Sequence, residues 1–92
     1  MKISIPKTFE LGGRTWRVKH LKGKKRWWGR AKCGSCVIEL AEHKTKQALR
    51  HTFLHELNHA ILYTMARNKL FNDENFVDGH SSLLLQALTT AK

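Results

Sequence analysis

The chain has 92 residues, which suits one small domain with a modest hydrophobic core. Its hydrophobic content of 41% and charged content of 26% are ordinary for a globular protein and argue against a disordered chain. The formal net charge of +10 favours attraction to polyanions or acidic substrates, although such a charge can also simply keep a small protein soluble.

The first 44 residues carry the patterns of β-strands. Gly12 and Gly13 separate two short strand-like stretches, which predicts a hairpin with a Gly-Gly turn. In the second stretch Trp16 and Val18 alternate with polar residues, as in a strand that buries one face. Residues 27–32 are predicted to begin a third strand, and residues 37–40 to form another.

A basic segment, residues 22–30, leads into the third predicted strand. Its candidates for contact with nucleic acid are Lys24, Lys25, Arg26, Trp27, Trp28 and Arg30. Basic side chains contact phosphates, and a tryptophan stacks on a base. The alternative is a solvated loop whose tryptophans pack against the sheet, and the sequence favours neither.

A single Cys-x-x-Cys follows at Cys33 and Cys36. A structural zinc site needs four ligands, and the sequence has no second cysteine pair. A redox-active pair normally opens a helix after a strand, whereas this pair lies between two strand-like stretches. We therefore expect two reduced cysteines in a hairpin turn.

Residues 45–67 are predicted to form the central helix. An apolar row at a spacing of four residues runs along this segment, and Thr45 is a suitable N-cap. No Pro or Gly interrupts residues 46–67. The row consists of Leu49, Phe53, Leu57 and Ile61.

The central helix contains HELNH at residues 55–59, which is the HExxH pattern of zinc peptidases. On a helix His55 and His59 lie on one face, one turn apart, and can bind the same metal ion. Glu56 lies next to them, where it can take a proton from a metal-bound water. The alternative is an exposed helix face that carries these three residues by coincidence, and we favour the metal site.

Catalytic zinc sites normally have three protein ligands, so a third must follow in the chain. Residues 72–90 are predicted to form a second helix, with Glu74 in its first turn. Asp78 shares a helix face with Glu74 and could accept a hydrogen bond from a ligand histidine. His80 is the alternative third ligand, but it falls in the middle of the predicted apolar face. That face comprises Phe76, Leu83, Leu84 and Ala87. We favour Glu74.

Residues 52–62, followed by residues 73–77 and a Leu-rich helix, resemble the small HExxH metallopeptidases of phages and prophages, which are similar to minimal gluzincins. The resemblance covers residues 9–88 in the order of elements, but only residues 55–61 and 74–77 are specific. It implies an α+β, zincin-like fold. In that fold a small twisted antiparallel sheet of three or four strands packs on an active-site helix, and a second helix carries the third ligand.

The resemblance also implies a site. His55, His59 and Glu74 would bind Zn²⁺, Glu56 would be the catalytic base, and Asp78 would hold a ligand histidine. An extended substrate would pair with a sheet edge near the metal, either at residues 30–32 or at residues 37–40. The sequence departs from the pattern at residue 80, where an apolar residue would be ordinary.

The leading hypothesis is a single-domain, zinc-dependent metallopeptidase, residues 1–92, that acts on a peptide or protein substrate. The alternative is a small basic nucleic-acid-binding or interaction protein with a structural or vestigial zinc site. The sequence has no secretory h-region and no apolar run that could span a membrane. We therefore expect a cytoplasmic protein without membrane contact, in the host cytoplasm if a phage encodes it.

Overall fold

The computed structural model describes residues 4–23 and 25–92; Lys24, one of the candidate nucleic-acid contacts, lies outside these ranges. Within these ranges four strands come first and three α-helices follow, so the predicted α+β class is confirmed. The strands are β1 (Thr8–Leu11), β2 (Arg14–His20), β3 (Gly29–Lys32) and β4 (Val37–Leu40). The helices are α1 (Lys46–Thr64), α2 (Asn68–Phe71) and α3 (Glu74–Thr90).

The four strands form one sheet in the order β1-β2-β4-β3. β1 and β2 pair as the predicted antiparallel hairpin, and Gly12 and Gly13 both have the positive φ that this turn requires. β2 and β4, however, run parallel. The prediction of an antiparallel sheet is therefore wrong, and the sheet is mixed.

The parallel pairing follows from the path of the chain after β2. The basic segment carries the chain past the position of β4 to the far edge, where β3 forms. An antiparallel hairpin then returns β4 into the gap beside β2, in the same direction as β2. β4 is consequently a central strand, so the expectation that residues 37–40 offer a sheet edge is also wrong.

The turn between β3 and β4 contains both cysteines. Cys33–Ser35 forms a single 3-10 turn, and Cys36 ends it in the left-handed region at φ 56°. Neither cysteine is in a disulfide. The structure thus confirms two free cysteines in a hairpin turn.

Helix α1 begins at the predicted cap and ends earlier than predicted. The side chain of Thr45 accepts a hydrogen bond of 3.0 Å from the main-chain N–H of Ala48. At the other end, Ala66 lies in the left-handed region at φ 57°. There the main-chain N–H of Arg67 donates to the carbonyl of Leu62 at 2.9 Å, as in a Schellman motif.

The hydrophobic core lies between one face of the sheet and α1, with α3 packed on the other side of α1. Its fully buried side chains include Trp16, Ile38 and Leu40 from the sheet. The remaining members are Cys36, Phe53, Leu54, Ala60 and Leu85.

Of the apolar face that the sequence predicted for α3, Leu84 packs against the core, but the rest of that face is exposed. Phe76 and Leu83 are 39% and 68% exposed, whereas Val77, Ser81 and Leu85 are buried. These buried residues face the part of α1 that carries Asn58 and the two motif histidines. A hydroxyl at Ser81 suits this interface because it accepts a hydrogen bond from Asn58. Within the described residues, no helix is both long and apolar enough to cross a membrane.

Candidate metal centre

Two helices that pack against each other position the candidate metal ligands. α1 carries His55 and His59 on successive turns, and α3 begins at Glu74. The side chain of Asp73 caps α3 by accepting a hydrogen bond of 3.0 Å from the N–H of Phe76. This cap fixes the first turn of α3, which holds the Glu74 carboxylate opposite the two imidazoles.

The carboxylate of Glu74 lies between the two imidazoles. Its Oε2 is 3.0 Å from Nε2 of His55, and its Oε1 is 3.1 Å from Nε2 of His59. One ligand atom from each of these residues can be chosen so that all three lie within 4.8 Å of one another. The geometry therefore brings together three of the residues that the sequence singled out as ligands.

The chemistry of these donors fits a divalent transition metal. Two imidazole nitrogens and one carboxylate oxygen are a ligand set of catalytic zinc sites, which leave the fourth position open for water. The metal binds neutral imidazole. Burial lowers the pKa of His59 and so favours its neutral form, although Glu74 and the main chain of Phe71 act in the opposite direction.

His80, the alternative third ligand, lies elsewhere. Its side chain is exposed, and its ring stacks on Phe76 with a centroid distance of 5.7 Å. The predicted position within an apolar core face is therefore wrong. On α3 the line that faces α1 passes through residues 74, 77, 78, 81 and 85, and residue 80 falls outside it.

Asp78 lies against the ligand histidine and against a further histidine. Its Oδ1 is 3.5 Å from Nδ1 of His55 and 3.5 Å from Nε2 of His51. Nε2 of His51 also lies 3.0 Å from the hydroxyl of Ser82. His51 was missed as a site residue, but its spacing of four residues from His55 was a usable signal, because it continues the row of motif histidines by one turn.

Glu56 points into the space between α1 and the edge strand β3. Glu56 is 8% exposed. Burial raises the pKa of Glu56, whereas His55 and a hydrogen bond from the main chain of Ala31 lower it. Burial thus makes this carboxylate a stronger proton acceptor than a carboxylate in water.

The edge strand comes close to α1 because residue 29 is glycine. A Cβ on Gly29 would lie 2.5 Å from Cγ2 of Thr52 and 3.2 Å from Cγ of Glu56. An open cleft of about 390 Å³ extends from this strand across the two motif histidines to Phe71 and Glu74. The ring of Phe71 closes one side of the cleft, edge-on against His59 at 4.8 Å.

The candidate nucleic-acid contacts are in several environments. The guanidinium of Arg30 lies 4.4 Å from the ring centroid of Trp27, and its Nε donates to Glu39 at 2.5 Å. Trp28, in contrast, is 63% exposed, and Lys25 and Arg26 are exposed too. Trp27 is therefore held against Arg30, whereas Trp28 faces solvent.

Comparisons of the chain with protein-family models, with curated protein sequences and with solved structures gave no match.

Proposed function

We propose that this chain is a zinc-dependent metallopeptidase with a zincin-like, gluzincin-type site, which hydrolyses peptide bonds in peptide or protein substrates. The observation that carries the proposal is the convergence of the Nε2 atoms of His55 and His59 on the two oxygens of Glu74, at 3.0 and 3.1 Å. Glu56 follows His55 directly in the chain and lines the same cleft. A ligand set with an adjacent carboxylate base is the arrangement that metal-assisted hydrolysis needs.

Each residue of the site then has a defined task. His55, His59 and Glu74 would hold the zinc, which would supply Lewis-acid activation of the scissile carbonyl and of the attacking water. Glu56 accepts the proton of the attacking water and returns it to the leaving amine, and burial, which raises its pKa, suits that exchange. Asp78 lies 3.5 Å from Nδ1 of His55, where it favours the tautomer that leaves Nε2 free to ligate.

The substrate would bind as an extended strand along β3. This strand is at the sheet edge, and within the described chain its outer side pairs with no other strand. Main-chain groups of an edge strand supply affinity for an extended peptide. Since β3 borders the cleft that contains Glu56 and the motif histidines, a peptide added there would pass across the metal ligands.

The first test is the metal content of the purified chain, with Glu74→Ala and His80→Ala beside it. We expect about one zinc per chain in the wild type. That zinc should be lost in Glu74→Ala and retained in His80→Ala. Absence of bound metal after zinc is supplied would overturn the proposal, whereas loss of zinc in His80→Ala alone would move the third ligand.

The second test is hydrolysis of an unfolded protein by the zinc-loaded chain. Glu56→Gln should retain zinc and lose activity by at least about 100-fold, the usual contribution of a general base. Glu10→Gln, at an exposed position on β1, is the matched control and should keep wild-type activity. A zinc-loaded protein that cleaves none of a panel of unfolded and acidic proteins would favour the structural-zinc alternative instead.

A further inference from the structure

A second concave surface lies beside the candidate metal centre, and we call it the Trp28 pocket. It has a volume of about 400 Å³, which is within the range of pockets that hold small planar ligands. Its walls are formed by Lys25, Trp27, Trp28, Glu42, His43 and Lys44. Aromatic rings and lysines are thus combined in one depression, outside the set of candidate metal ligands.

Trp28 is the exposed tryptophan of this protein. Trp16 is 1% exposed and Trp27 is half-buried, whereas Trp28 is 63% exposed. Leaving a large aromatic surface in water forgoes the free energy that burial would provide. Trp28 therefore presents most of its indole to solvent, where a stacking partner can reach it.

The ring of Trp28 is nevertheless held in place. The main-chain carbonyl of Trp28 accepts a hydrogen bond of 2.9 Å from the N–H of Ala41. The centroid of the Trp28 ring lies 4.9 Å from that of the His43 ring. His43 is itself fixed, because Nδ1 lies 2.7 Å from the carbonyl of Ala41 and Nε2 lies 2.8 Å from the hydroxyl of Thr52. A carbonyl only accepts, so Nδ1 donates to Ala41, and Nε2 of the neutral ring then accepts from Thr52. The pocket is therefore preorganised for an aromatic partner.

The charge around the pocket is positive. Lys25 and Lys44 are exposed at its walls. The one acidic wall residue, Glu42, accepts a hydrogen bond of 3.1 Å from the N–H of Gly23 and so ties the basic segment to the start of the polar link. With a net charge of +10 for the whole chain, the complementary ligand is a polyanion that also carries planar groups.

We propose that the Trp28 pocket binds single-stranded nucleic acid, with a base stacked on Trp28 and phosphates at Lys25 and Lys44. Single strands meet both requirements, because their bases are unstacked and their backbone is anionic. A duplex hides the faces of its bases, and an acidic polypeptide satisfies the lysines without using the exposed indole. Arg30 contributes little in this arrangement, since Glu39 and Trp27 already engage it.

The site is distinct from the metal centre but touches it. Trp28 also lines the opening that contains His55 and Glu56, so the two sites share one wall. Binding itself uses none of the candidate metal ligands and should persist in the metal-free protein. A failure of the peptidase proposal would therefore leave this inference standing, and the reverse also holds.

The test is fluorescence anisotropy of labelled oligothymidine with the full chain, measured after removal of metal. Trp28→Ala should weaken binding about tenfold, which corresponds to the loss of one base-stacking contact. Trp28→Tyr, which keeps a stacking ring, should restore most of that loss. Lys25→Ala and Lys44→Ala should weaken binding and reduce its dependence on salt.

Two controls separate stacking from charge. An abasic oligonucleotide of equal length should bind more weakly, and its affinity should be unchanged by Trp28→Ala. Lys69→Ala removes a lysine that does not line the pocket and should have less effect than Lys25→Ala.

The inference would be overturned by no binding of oligothymidine at low salt, by equal affinity of Trp28→Ala and the wild type for it, or by tighter binding of a duplex than of the single strand. Binding of poly-glutamate with the same dependence on Trp28 would also overturn it, in favour of an acidic polypeptide.

Discussion

Asn58 on α1 donates a buried hydrogen bond of 2.7 Å to the hydroxyl of Ser81 on α3. The hydroxyl of Ser81 in turn donates a hydrogen bond of 2.7 Å to the main-chain carbonyl of Val77. Asn58 precedes His59 in the chain, and Ser81 follows Glu74 by two helical turns. This pair therefore fixes how α3 is rotated and shifted against α1, and with it the distance from Glu74 to the two imidazoles.

Ser81→Ala tests the role of this hydrogen bond. The change would leave the buried amide of Asn58 without its acceptor, at a cost of about 1–3 kcal/mol in the free energy of unfolding. Zinc affinity should fall as well, because Glu74 would lose its fixed position. Urea unfolding of the metal-free protein and a zinc titration measure the two effects. Ser35→Ala, at an exposed serine in the hairpin turn, should change neither, and an equal response of the two variants would refute the assignment.

Gly29→Ala tests the close approach of the edge strand to α1. The new Cβ would lie 2.5 Å from Cγ2 of Thr52, which the hydrogen bond from Thr52 to His43 helps to hold. We expect a loss of about 1–3 kcal/mol in the free energy of unfolding, as for other overpacked sites, and weaker activity because Glu56 must shift.

The double variant Gly29→Ala/Thr52→Ser removes the clashing methyl group and keeps the hydroxyl, so it should recover much of the loss. Gly34→Ala is the matched control, since a Cβ added at Gly34 would meet no heavy atom within 4 Å beyond its neighbours in the chain. Its effect should stay within about 0.5 kcal/mol. Equal losses in Gly29→Ala and Gly34→Ala would show that the contact with Thr52 is not what requires glycine at residue 29.

Ala66→Gly should stabilise the protein. Ala66 has φ 57° at the end of α1, a region that costs an L-residue roughly 1–2 kcal/mol and costs glycine almost nothing. After the extra freedom of glycine in the unfolded chain is subtracted, a gain of about 0.5–1 kcal/mol remains. Ala87→Gly makes the same chemical change inside α3 and should instead cost about 1 kcal/mol. Thermal unfolding of both variants checks the opposite signs.

Local patterns predicted the parts of this fold that depend on neighbours in the chain. The hairpin at Gly12 and Gly13, the cap at Thr45 and the helix that carries the HExxH motif follow from turn chemistry and periodicity. The sequence carries no such signal for the left-handed conformation of Ala66, because alanine is an ordinary helix residue. Only the tertiary path of the chain demands the turn at the end of α1.

Features that depend on distant partners could not be predicted in the same way. The parallel pairing of β2 with β4 arises because β3 takes the outer edge, and nothing in either strand encodes that direction. Similarly, the apolar content of α3 favoured burial of Leu83, whereas the hydrogen bond between Asn58 and Ser81 rotates that side chain into solvent. The placement of Glu74 depends on the same rotation, and for that reason periodicity alone left His80 open as a ligand.

The pair of Arg30 and Glu39 should make stability depend on pH in the acid range. The hydrogen bond from Arg30 lowers the pKa of Glu39 below its ordinary value of 4.5, and the nearby Lys32 and Lys19 act in the same direction. The unfolded chain therefore binds a proton at Glu39 at a higher pH than the folded chain does. The stabilisation from this pair is complete above about pH 4.5 and is lost as the pH falls through the lowered folded-state pKa.

Arg30→Gln tests this linkage. At neutral pH the variant should lose about 1 kcal/mol in the free energy of unfolding, a modest value because half of the Arg30 side chain is exposed to screening by solvent. The difference between wild type and variant should shrink as the pH is lowered below 4.5, because protonated Glu39 no longer needs its partner. Urea unfolding of both proteins at a series of pH values measures this difference in the free energy of unfolding. Arg26→Gln removes a charge that does not contact Glu39 and should give a difference that is small at every pH. The difference in the free energy of unfolding between the wild type and Arg30→Gln could instead stay constant from neutral to acid pH. That result would show that Arg30 stabilises the sheet through its packing on Trp27 and not through the carboxylate of Glu39.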